Sequence, residues 1–143
     1  MDFNARVDEL QQRVAATKTA VQAAATESRE QLRQRIDQAQ VELDQAAKDA
    51  QERAVEAARG GRSKWAQMRA DAAARRDDIK AKVNKRTREL DAKAATSDAG
   101  WAEAEAADAL DFAAWAVDNA RLVMLDAIDA RAYADELAKE AAS

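Results

Sequence analysis

Residues 3–24 read FNARVDELQQRVAATKTAVQAA. Phe3, Val7, Leu10, Val14, Thr17, Val21 and Ala24 recur at alternating steps of four and three. That is the heptad seam one helix presents to another. The next steps, Ser28, Leu32 and Ile36, are each four residues long. A run of fours is a stutter, which locally unwinds a left-handed supercoil. The heptad then resumes through Ala39, Leu43, Ala46 and Ala50, with Val55 the only larger residue after Leu43. The pattern predicts one helix over 2–59, with a seam that thins to alanine toward its end.

Gly60-Gly61 is the strongest break in the chain. One of the two glycines suits the left-handed position that closes a helix, and Ser63 suits an N-cap. A turn over 60–62 and a second helix over 63–95 follow. The seam of that helix is Trp65, Met68, Ala72, Ile79, Val83, Leu90 and Ala94, with Arg75 or Arg76 and Arg86 at seam positions. Long arginine stems cover such a seam while their heads reach water. Thr96-Ser97-Asp98-Ala99-Gly100 is open to two readings, since Thr, Ser and Asp cap helices and glycine weakens them. A break there gives an elongated three-helix bundle, and no break gives a long antiparallel coiled-coil hairpin. Either way the chain is all-α, in a single helical domain.

Residues 101–141 form the last helix, and it carries the largest apolar side chains. At 100° per residue, Trp101, Phe112, Trp115, Leu122, Tyr133 and Leu137 fall on one stripe. Leu110, Val117, Met124 and Ile128 fall on nearly the opposite side. A helix apolar on two faces is buried between neighbours. The expected interface is therefore Trp101, Leu110, Phe112, Trp115, Val117, Leu122, Met124, Leu125, Ile128 and Tyr133. In the hairpin reading the second arm outruns the first from about Asn119 onward, given a rise of about 1.5 Å per residue. A bare apolar overhang calls for a partner, most simply a second copy related by two-fold symmetry.

Composition agrees. The chain has no proline, three glycines, no cysteine and no histidine. Its apolar fraction is mostly alanine, which buries little area, so the large side chains suit narrow seams better than a thick core. Self-association is the usual remedy for a thin core. The absence of histidine and cysteine removes the commonest general base and the best thiol nucleophile. It also excludes Cys/His zinc sites and di-iron sites of the Glu-x-x-His type. The expected protein is not an enzyme and needs no cofactor. Asp108, Asp111, Asp118, Asp126 and Asp129 line the last helix, but hard cations want ligands converging from a bent loop, so a solvated or ion-paired face is expected there and no metal site. Gly60-Gly61-Arg62-Ser63-Lys64 lacks the strand and spacing of a phosphate loop.

The net charge of −4 conceals an asymmetry: −2 over residues 1–61, +6 over 62–97 and −8 over 98–143. Adjacent blocks of opposite sign suit pairing within or between chains. The basic block, from Arg62 to Arg88, is spread around its helix and interrupted by Asp71, Asp77, Asp78 and Glu89. It shows no nucleic-acid-reading motif, so no nucleic-acid partner is expected. Trp65, Trp101 and Trp115 read as core residues at helical spacing, not as a ligand pocket. The start of the chain has no secretory-signal pattern, and no stretch has the apolar length of a membrane span. A cytoplasmic protein is expected.

Residues 106–131, Ala106 through Phe112, Trp115 and Leu122 to Arg131, resemble the C-terminal part of uncharacterised alanine-rich coiled-coil proteins of high-GC, actinobacterial-type bacteria. The resemblance implies a small cytoplasmic helical protein without catalytic residues. The stretch from Ala46 to Arg59 is also similar to stress-protection proteins with eleven-residue helical repeats, although no such repeat is sustained here. The sequence thus points to a structural or interaction protein that self-associates as a dimer or tetramer through its last helix, or that binds another protein partner. The alternative is an amphipathic protein of lipid surfaces or stress protection. A strongly acidic last helix argues against anionic lipid.

Overall fold

The computed structural model describes residues 2–55, 60–88 and 91–143. The protein is all-α, with four helices and no strand among the described residues: α1 (Phe3–Ala24), α2 (Arg29–Arg53), α3 (Gly61–Arg88) and α4 (Ala92–Ala142). The end of the expected first helix, residues 56–59, and the seam position Leu90 lie outside the described residues. The chain divides into two compact units. One is Val7–Leu90, and the other joins residues 1–6 with Asp91–Ser143.

Within the first unit, the single helix expected over 2–59 is two helices. The joint falls at the stutter. Ser28 has extended backbone (φ −68°, ψ 163°) and caps α2. Its hydroxyl accepts from the Gln31 amide at 3.2 Å, and the Gln31 side chain accepts from the Ser28 amide at 3.0 Å. This is a capping box, which satisfies two amides that a helix start leaves unpaired. Ser28-Arg29-Glu30-Gln31 carries that signature, so Ser28 is a cap and not a seam residue. The Arg35 Nε donates to the Glu27 carboxylate across the same joint. That hydrogen bond holds the exposed Arg35 guanidinium above its ordinary pKa, against desolvation and with the added pull of the Glu27 charge. At the chain's start, the Asp2 carboxylate accepts from the Ala5 amide at 3.1 Å and begins α1.

α2 ends at Arg53, before the glycines, with the Ala54 amide donating to Ala50 and Gln51. Gly60 has φ 68°, a left-handed conformation that suits glycine. It precedes α3 directly and does not close α2. A Cβ on Gly61 would come 3.0 Å from the Val55 carbonyl oxygen, so the second glycine permits a close backbone approach. α3 begins there and not at Ser63.

α2 and α3 pack side by side as an antiparallel hairpin. The Arg62 Nε donates to the Ala54 carbonyl at 3.1 Å. One turn of α2 further back, the Arg69 guanidinium reaches Gln51 at 3.0 Å and Asp44 at 3.4 Å. Gln40, Leu43 and Ala47 then line one cleft with Ala72, Ala73 and Arg76. Partners on α3 climb as those on α2 descend, and that fixes the direction. Among the described residues, Ala47 on α2 and Val83 on α3 are buried, each 9% exposed. Trp65, Leu32, Ile36 and Ile79 are half-buried. The core is as thin as the alanine-rich seam implies. Leu10, Val14 and Val21 of α1 are exposed, although their spacing is that of a packed seam.

In the second unit, α4 runs unbroken through 96–100. Its start is Asp91, whose carboxylate accepts from the Ala94 amide at 2.8 Å. Thr96 is helical and its hydroxyl donates back to the Ala92 carbonyl at 2.9 Å, an alternative to capping that serine and threonine take inside helices. The chain therefore breaks near Asp91, five residues before the stretch the sequence offers. At 51 residues, α4 is about 76 Å long.

Candidate functional site: the apolar faces of α4

Every residue of the expected interface lies on α4, and nearly all of it is exposed. Trp101 is 73% exposed, Leu110 70%, Leu122 67% and Trp115 60%. Phe112, Val117, Leu125, Ile128 and Tyr133 are exposed as well, and Met124 is half-buried. Val123 and Leu137 join them. Val123 escapes a two-stripe reading because it projects beside the aromatic stripe.

The helix sorts these side chains by position alone. Residues three or four apart share a face, so Phe112 and Trp115 meet, with ring centroids 5.9 Å apart and planes tilted by 34°. That is the offset aromatic geometry the ring quadrupoles favour. Trp101, Leu122, Tyr133 and Leu137 extend the same stripe to either side. Leu110, Val117, Met124 and Ile128 stand on the opposite face. Trp101 and Trp115 are not core residues within the chain. Trp65, on α3, is half-buried.

Charge surrounds these stripes. α4 carries eleven acidic and four basic residues. The Arg121 guanidinium meets Asp118 at 3.1 Å, and both side chains are 68% exposed. An exposed pair of this kind contributes little to stability. Asp108, Asp111, Asp118, Asp126 and Asp129 do not converge, and no group of three or more metal-ligating side chains occurs among the described residues. The cleft between α2 and α3 is lined by Leu43, Ala47, Ala72 and Ala73, together with Asp44, Arg69 and Arg76. Of the basic block, Arg69 reaches across to Asp44 of α2, and Lys82 pairs along its own helix with Asp78 at 3.0 Å. No helix among the described residues is long and apolar enough to cross a membrane.

What the arrangement offers chemically is area. A row of aromatic and branched side chains over some 37 residues, Trp101 to Leu137, is held in fixed spacing by one unbroken helix. Comparison with protein-family models, curated proteins and solved structures gives no match to this chain.

Proposed function

We propose that this is a non-enzymatic structural or interaction protein that self-associates through α4. The observation that carries the reading is the exposure of Trp101, Phe112, Trp115, Leu122 and Tyr133 along one face of a helix. Tryptophan and tyrosine dominate the energetics of protein contacts, and leaving four aromatic rings in water forgoes roughly 1.5–3 kcal/mol for each large side chain that burial would recover. The α2–α3 hairpin, with its own seam and caps, serves as the folded body that α4 links to another copy.

Light scattering after size-exclusion chromatography, run beside circular dichroism, tests this. The expected result is a helical dimer or tetramer that becomes a monomer, with helicity largely kept in α2 and α3, when Phe112 and Trp115 are both changed to alanine. A chain that is monomeric at every concentration, and gains helicity only with lipid vesicles, would sink the reading in favour of a lipid-surface role.

A further inference from the structure

The aromatic stripe of α4 is symmetric about the level of Val117. Trp101 and Tyr133 lie sixteen residues either side of it, Phe112 and Leu122 five, and Trp115 and Asn119 two. Between them fall Ala104 and Ala130, thirteen residues either side, and Asp108 and Asp126, nine either side. Large thus mirrors large, alanine mirrors alanine and aspartate mirrors aspartate along one helix face. Trp115 and Asn119 differ in kind, as do Ser97 and Leu137, twenty residues either side, and Asp111 and Val123 at the edge of the stripe, six either side.

Resting on the self-association proposed above, we infer that two copies of α4 pair antiparallel on this stripe, with the two-fold axis at the level of Val117. An antiparallel two-fold pair sets each residue opposite the one at its mirror position. Trp101 then packs against Tyr133 of the second copy, Phe112 against Leu122, and Ala104 against Ala130. A parallel pair would stack Trp101 on Trp101 and Ala104 on Ala104, leaving bulky and empty layers in alternation. The area suffices. Four aromatic rings, each 60% or more exposed and each burying about 200 Å² when covered, supply on the order of 1,000 Å² over two copies. Leu122 and Leu137 carry the total to the roughly 1,200 Å² at the low end of stable interfaces. The opposite stripe has only Leu110, Val117, Met124 and Ile128, a shorter and ring-free face. Asp108 against Asp126 is the weak point of the pairing: two like-charged layers per dimer hold the association below what the rings alone would give.

The chain has no cysteine, so introduced thiols report without interference. The test mixes the full-length variants Asp108→Cys and Asp126→Cys under mild oxidation, with light scattering on the unmodified chain. The expected result is a covalent dimer from the mixture and none from either variant alone, because like positions lie eighteen residues, about 27 Å, apart along the pair. Covalent dimer from a single variant means a parallel pair and overturns the inference. A dimer by light scattering that gives no covalent product overturns the register and leaves self-association standing. A monomeric unmodified chain overturns both. Asp126→Arg gives an independent readout: it faces Asp108 of the second copy and tightens the dimer about 10-fold. Weakening by that change overturns the antiparallel register.

Discussion

Ser28 and Gln31 each accept a hydrogen bond from the other's backbone amide, at 3.2 and 3.0 Å. This exchange sets where α1 stops being continuous with α2. A cap of this kind contributes about 1 kcal/mol. Ser28→Ala leaves the Gln31 amide without its partner and lowers stability by about 1 kcal/mol, read as a shift in the urea midpoint with unchanged slope. Gln31→Ala removes only the return bond and lowers it less. Equal or greater stability in Ser28→Ala would mean that α1 and α2 prefer to run on as one helix.

Two glycines give opposite signs for the same substitution. Gly60 has φ 68°, which an alanine side chain opposes at a cost of about 1 kcal/mol. Gly100 lies in the interior of α4, and a Cβ there meets nothing within 4 Å. Gly100→Ala therefore stabilises α4 by about 0.5–1 kcal/mol, and Gly60→Ala destabilises the hairpin by a similar amount. Thermal melts followed at 222 nm check both, and matching signs would contradict this account of the two backbones.

These residues also mark how far the sequence could be read. The all-α class followed from the missing proline and the recurring seam, and spacing alone sorted the apolar side chains of α4 into stripes, but the expectation that Trp101 and Trp115 are core residues did not hold: they are 73% and 60% exposed. The breaks did not follow. The stutter at Ser28 reads equally well as an unwound coil, because a seam pattern counts apolar positions and is blind to a serine that bonds its own backbone. At 96–100 the reverse holds: Thr96 has cap chemistry, yet it returns its hydroxyl to Ala92 and stays helical, and Asp91 takes the cap. Burial was the least legible property. Val14 and Val21 have the spacing of packed residues and are 61% and 63% exposed, since periodicity shows which face is apolar but not whether anything covers it.

The hairpin and the α4 surface are separable by mutation. Ala47 is buried in the α2–α3 seam, and Leu43, Ala72 and Ala73 line the same cleft. Ala47→Glu puts a carboxylate there with Arg69 already engaged by Asp44 and Gln51. Burying an unpaired charge costs about 3 kcal/mol or more, which unfolds a hairpin with so thin a core. Circular dichroism loses the helicity of α2 and α3, while light scattering still finds the self-associated species that α4 forms. Loss of both together would show that the hairpin supplies part of the contact.

Ionic strength separates the charge environments that α4 can meet. α4 carries −7 from four basic and eleven acidic residues, and α3 carries +7 from ten basic and three acidic. Two copies of α4 brought together are like-charged, with Asp108, Asp111, Asp118, Asp126 and Asp129 along or beside the aromatic stripe. The Debye length falls from about 10 Å at 0.1 M salt to about 3 Å at 1 M, so added salt removes that repulsion and leaves the apolar contact. Self-association through α4 alone therefore tightens about 5-fold between low and high sodium chloride, measured by sedimentation equilibrium. Weakening with salt is the opposite signature: it requires the acidic helix to face positive charge, and α3 of a second copy is the element of this protein that carries it.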